Sequence, residues 1–131
     1  MYRVAVCDDN REILNEIGRM LEDTTEEISD VDLYASAQEL ENIYTEHGQY
    51  DIILMDIQMP EMDGREATKT IRSIQRPDAK EILIFALSAD AFVEDQRYSA
   101  EIGMNGHFAK PIDFEAMRVS IGRIMKERKQ I

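Results

Sequence analysis

Short apolar runs alternate with longer stretches of helical period five times along the chain, and few architectures accept that order. The first run is Tyr2-Arg3-Val4-Ala5-Val6-Cys7, after which Ile13, Leu14, Ile17, Met20 and Leu21 recur at the spacing of one helix face. Val31 to Ala35 alternates in polarity, which predicts a second strand near a sheet edge. Ser36 with Glu39 three residues on is a capping-box pair that opens a helix, and His47-Gly48 closes it. Asp51 to Met55 predicts the third strand; Ile52 to Met55 is unbroken in apolarity, as suits a central parallel strand buried on both faces. A rather polar helix follows Gly64, anchored by Ile71 and Ile74 and ended by Pro77. Ile82 to Leu87 is the fourth strand. A fourth helix lies within Asp90 to Ile102, and Gly103-Met104-Asn105-Gly106 turns into a short fifth strand, His107 to Ala109. The last helix begins after Pro111 and buries Phe114, Met117, Ile121, Ile124 and Met125. Five β-α units of this kind predict a parallel five-stranded sheet with helices on both faces.

Composition narrows what such a fold does. At 131 residues the chain is expected to be a single domain over 1–131, ending with its fifth helix and leaving no room for an output domain. Fifteen basic against 27 acidic residues leave a net charge of −12, which argues against nucleic acid or an anionic membrane as a partner. The same surplus favours a cation if several carboxylates converge. Cys7 is the only cysteine, so an intrachain disulfide is excluded and a reducing, cytoplasmic setting is expected. The apolar run after Met1 reaches Asp8 and Asp9 too soon for a signal peptide, and no stretch approaches the roughly 20 apolar residues of a membrane span.

The polar residues fall at strand ends. Asp8 and Asp9 end the first strand, Asp56 the third, Ser88 follows the fourth and Lys110 the fifth. In open α/β sheets ligands bind beyond the carboxyl ends of strands, where the strand order reverses. With order 2-1-3-4-5 that reversal brings the three aspartates together. Two carboxylates about 4 Å apart repel by roughly 4 kcal/mol at an effective dielectric near 20, so the cluster calls for a hard divalent cation, magnesium or a relative. Phosphoryl transfer asks for a nucleophile in line with the leaving group and positive charge around the equatorial oxygens. Asp56 can be that nucleophile, Lys110 a compact point charge, and Ser88 a hydroxyl donor. Nothing in the set is a strong base for fast water attack, so a phosphorylated product should persist.

This pattern resembles the receiver domain of two-component response regulators over essentially the whole length. It is carried by Asp8-Asp9, by Asp56-Ile57-Gln58-Met59-Pro60 with Gly64 eight beyond Asp56, by Ser88-Ala89, and by Lys110-Pro111. The resemblance implies a flavodoxin-like (βα)5 three-layer sandwich and a phosphorylation-dependent switch rather than a turnover enzyme. It implies that Asp56 is the phosphoacceptor, that Asp9, Asp56 and the backbone carbonyl of Gln58 bind Mg²⁺, and that Asp8 binds it mainly through water. It further implies that Ser88 and Lys110 hold the phosphoryl oxygens, and that the donor is a phosphohistidine on a sensor histidine kinase or phosphotransfer domain. The run Gly103 to Asp113 is similar to receivers of hybrid sensor histidine kinases, so the chain is expected to be an excised domain or a short stand-alone relative. Where many family members carry Tyr or Phe as a rotamer switch, this chain has His107. A rearranging face of fourth helix, fifth strand and fifth helix would bind a partner or a second receiver.

Plainer roles compete at several positions. An Asp-Asp pair after a strand is commonly a turn or cap, though Asn10 can cap the first helix instead. Pro60 and Gly64 shape a loop, Cys7 packs as a small hydrophobe, and Met59 and Met62 are core filler or partner-facing. His107 is a switching imidazole or a half-exposed side chain on an edge strand. A magnesium phosphatase with an aspartate nucleophile would want a second carboxylate where Gln58 stands. A flavodoxin-like cofactor binder would want a Ser/Thr/Gly-rich loop where Asp8-Asp9-Asn10 stands, and a degenerate receiver would lack part of the acidic set.

Overall fold

The computed structural model describes residues 2–24, 28–47, 50–57, 64–74, 82–88, 103–110 and 112–129. Strands β1 (Tyr2–Cys7), β2 (Ile28–Tyr34), β3 (Ile52–Asp56), β4 (Leu83–Ser88) and β5 (Gly106–Ala109) form one sheet in the order β2-β1-β3-β4-β5. Every pairing is parallel. Around it pack α1 (Arg11–Thr24), α2 (Ala37–His47), α3 (Gly64–Ser73) and a C-terminal helix (Phe114–Lys129).

The period-2 geometry of the strands divides the core in two. Ala5, Cys7, Ile53, Met55, Ile84 and Ala86 point to one face, where Leu40, Tyr44, Ala67 and Ile71 of α2 and α3 cover them. Val4, Val6, Ile52 and Leu54 point to the other, against Leu14, Ile17 and Leu21 of α1 and Met117 and Ile121 of the C-terminal helix. All five residues of β3 are buried, which is why its apolar run is unbroken. Each fully buried Leu or Ile contributes roughly 1.5–3 kcal/mol. Helices on both faces of this strand order make a flavodoxin-like three-layer sandwich.

The helix starts follow their cap signals. Asn10 Oδ1 accepts from the N–H groups of Glu12 and Ile13, at 3.0 and 3.3 Å, and Ser36 Oγ accepts from Glu39 N–H at 3.4 Å. Ile13, Met20, Phe114 and Ile124 are partly buried members of the expected stripes. The other strand boundaries fall within one residue of expectation, but the start of β2 differs by three. β2 begins at Ile28 rather than Val31, because Ile28 pairs with Tyr2 and the register shifts before Arg3 pairs with Asp30. Polar Ser29-Asp30 hid that start: an edge strand with an irregular register need not be apolar there. Gly48, Pro77, Pro111 and the expected helix within 90–102 lie outside the described residues.

Candidate phosphoacceptor and metal site

The register of the sheet builds the site. Cys7 pairs with Met55, so Asp8 leaves β1 beside Asp56 at the end of β3. Asp56 pairs with Leu87 and Ser88 with Ala109, which sets Ser88 and Lys110 at the same rim. Backbone bonds extend each strand into it: Asp8 N–H to Tyr34 O at 3.0 Å, Ile57 N–H to Leu87 O at 3.2 Å, and Lys110 N–H to Ser88 O at 2.7 Å.

The three expected aspartates converge. Ligand oxygens of Asp8, Asp9 and Asp56 lie within 4.8 Å of one another. Asp8 and Asp56 are buried and Asp9 is exposed, as successive residues leaving a pleated strand point to different sides. Asp8 Oδ1 accepts from Asn10 N–H at 2.8 Å. Its other oxygen, Oδ2, is buried and takes no well-aligned hydrogen bond. The Lys110 ammonium stands 3.0 Å from that oxygen, an ion pair without hydrogen-bond alignment, and 3.4 Å from Asp56 Oδ2. Two buried carboxylates and an exposed one around a single ammonium fit a hard cation with all-oxygen ligands such as Mg²⁺.

The electrostatics agree with the geometry. Burial alone would lower the Lys110 pKa, but the contacts with Asp8 and Asp56 outweigh it and leave the ammonium more basic than usual. Beneath the rim, burial pushes the Cys7 thiol up to about 12, with the charges of Asp56 and Asp8 adding to it. That thiol is a core hydrophobe without thiolate character.

Ser88 is buried at the rim. His107 is exposed on β5, in register with Ala86, while the next residue, Phe108, packs toward the C-terminal helix. Gln58, Met59, Pro60 and Met62 lie outside the described residues. Two parts of the site escaped the sequence: the Tyr34 carbonyl that holds Asp8 N–H, and the Asn10 N–H that orients the Asp8 carboxylate. Asn10 announced itself only as a helix cap, and no side-chain signal marks a backbone carbonyl.

Comparison with known proteins follows the same lines. A family model described as "Response regulator receiver domain" matches residues 4–122. The chain is 36% identical over 106 residues to "Probable histidine kinase 2" of Oryza sativa subsp. indica, covering 79% of this chain and 10% of that protein. It is 33% identical over 127 residues to "Hybrid signal transduction histidine kinase L" of Dictyostelium discoideum, covering 95% of this chain and 7% of that one. The chain thus spans a tenth or less of the length of these two curated relatives. Among solved structures, Vibrio cholerae chemotaxis protein CheY4 superimposes with a TM-score of 0.83 at 24% identity, covering 94% of this chain and 98% of that one. Among the described residues, no helix is long and apolar enough to cross a membrane.

Proposed function

The chain belongs to the response regulator receiver domains, signalling domains of two-component systems, and from that premise we propose that it is a Mg²⁺-dependent switch phosphorylated on Asp56. The observation that carries this reading is the rim itself: three carboxylates within 4.8 Å with one ammonium 3.0 and 3.4 Å from two of them.

The Asp56 carboxylate attacks the phosphorus of a phosphohistidine. A P–O bond forms as the P–N bond breaks, and the imidazole leaves with the electron pair. Asp8, Asp9 and Asp56, with the Gln58 carbonyl, would hold Mg²⁺. When bound, the ion offsets the carboxylate charge and supplies positive charge to a phosphoryl oxygen. Lys110 neutralises a second oxygen and the Ser88 hydroxyl donates to a third, so the developing charge meets fixed partners. Ser88 drawn toward the phosphoryl group then repositions the face that includes β5 and the C-terminal helix, with His107 as the switch candidate. The donor is a sensor histidine kinase or a phosphotransfer domain, and the rearranged face binds a partner or a second receiver.

Acetyl phosphate with Mg²⁺ should add one phosphoryl mass to the chain, mapped to Asp56 and absent in Asp56→Asn. Labelling that survives Asp56→Asn, or multiple turnover on small phosphomonoesters, would contradict the assignment.

A further inference from the structure

Lys110 follows a short edge strand. β5 is four residues long, lies at the sheet edge and, among the described residues, pairs with β4 alone. A one-residue slip would carry Lys110 about 3.3 Å along the strand direction, toward or away from the rim. What fixes the strand where it begins is a side chain from another layer. Arg72, in the last turn of α3, donates to Gly103 O through Nε at 3.1 Å and through a terminal nitrogen at 2.8 Å. The same terminal nitrogen donates to Asn105 Oδ1 at 2.9 Å.

Asn105 is itself tied to β4. Its N–H donates to Ile84 O at 2.7 Å, and its side-chain oxygen accepts from Ile84 N–H at 2.9 Å. A carboxamide thus continues the β4–β5 ladder where β5 has not yet begun. Gly103 has φ of +105°, a conformation that favours glycine, and a Cβ there would stand 3.1 Å from Arg72 Cγ and Nε. The turn is therefore shaped around the guanidinium. Burial lowers the Arg72 pKa, so the fork is partly withdrawn from water, where its bonds count for more.

We propose that Arg72 is a positioning residue for Lys110: by clamping Gly103 and Asn105 it fixes the start of β5 and thereby sets the ammonium against Asp8 and Asp56. This rests on the reading of Asp56 as the phosphoacceptor. These Arg72 hydrogen bonds go to Gly103 and Asn105, not to the reacting atoms. Its influence runs from the clamp through Asn105 and Ile84 to the strand register, and from Ser88 O and Lys110 N–H to the rim.

The test uses two readouts of opposite sign. The Lys110 ammonium competes with a divalent cation for the same carboxylates, so loosening it strengthens Mg²⁺ binding while slowing phosphoryl uptake. In the full chain, Arg72→Met should bind Mg²⁺ several-fold more tightly by calorimetry and take phosphate from acetyl phosphate about tenfold more slowly, a change of roughly 1.4 kcal/mol. Lys110→Met should show the same pair of changes more strongly, and the double variant should go no further than Lys110→Met. Arg72→Lys, which keeps the charge and loses the fork, should fall between wild type and Arg72→Met and keeps the test available if Arg72→Met does not fold. Unchanged values in Arg72→Met, both values weakened together, or full additivity with Lys110→Met would overturn the proposal. Absence of uptake in the wild type would instead sink the phosphoacceptor reading, with the Mg²⁺ affinities still deciding whether Arg72 positions Lys110.

Discussion

The sheet carries two clusters of one formula, three aspartates and one base, toward opposite ends of its strands. At the carboxyl rim stand Asp8, Asp9, Asp56 and Lys110; toward the amino ends stand Asp30, Asp32, Asp51 and Arg3. The second cluster is only half-buried, and each of its carboxylates has a donor or the Arg3 guanidinium beside it. The Asp30 and Asp32 side chains are 58% and 42% exposed, with Arg3 3.4 and 3.7 Å from them, and Tyr50 OH donates to Asp32 at 2.6 Å. Tyr34 OH donates in turn to Tyr50 OH, the Arg3 guanidinium lies 5.3 Å from the centre of the Tyr50 ring, and Arg3 N–H donates to Asp51 Oδ2 at 2.9 Å. At the rim the Asp8 and Asp56 side chains are 0% and 3% exposed, and Asp8 Oδ2 takes no aligned hydrogen bond. Equal charge counts thus give partly exposed carboxylates with donors or a guanidinium beside them at one end, and two almost fully buried carboxylates sharing one ammonium at the other. A cation is therefore expected to relieve the buried end more than the half-buried one.

The largest expected consequence is at Lys110. Lys110→Met leaves two buried carboxylates facing each other, and removing one partner of a buried pair costs about 3 kcal/mol or more. Urea unfolding without divalent ions should show that loss, and Mg²⁺ should restore part of it. The sign with pH follows from the raised Lys110 pKa: its contribution is full below the ordinary value of 10.5 and is lost as pH rises through the higher folded value. The Met variant should lack this alkaline component. A loss that ignores Mg²⁺ would place the strain elsewhere.

Next in size is the linkage to the cation. Mg²⁺ should stabilise the wild type by about 1.4 kcal/mol for each tenfold excess over its dissociation constant. In thermal unfolding, Asp9→Ala should remove most of this gain. Retention of the gain would mean that the ion binds elsewhere.

The smallest effect belongs to the cluster toward the amino ends. Arg3→Met removes pairs that water already screens, so the loss should stay within about 1 kcal/mol and show no Mg²⁺ dependence. A larger loss would show the two ends to be less different than their exposure implies.

What the sequence disclosed follows from the range of the forces involved. The buried strands were legible because burial on both faces demands unbroken apolarity, as in Ile52 to Met55. The two core helix stripes and the Ser36 and Asn10 caps were legible because their contacts lie within a few residues. Asp8, Asp9, Asp56, Ser88 and Lys110 could be drawn to one rim because each stands at a strand end and the parallel topology gathers such ends. The start of β2 was not legible, since Arg3 reaching Asp30 makes a polar strand residue look like loop. Nor was the reach of Arg72 to Gly103 and Asn105, 31 and 33 residues away, which no local pattern encodes. The division of the acidic pair, Asp8 buried and Asp9 exposed, needed the pleat and the register together.

The difference between the two ends is tested most directly by titrating the full chain with Mg²⁺ while following backbone amide shifts. The amides of Asp8, Asp9, Asp56 and Lys110 should move along one saturating curve, with those of Arg3, Asp30 and Asp32 unmoved. Equal movement at both ends, or a silent rim at tens of millimolar Mg²⁺, would contradict the account.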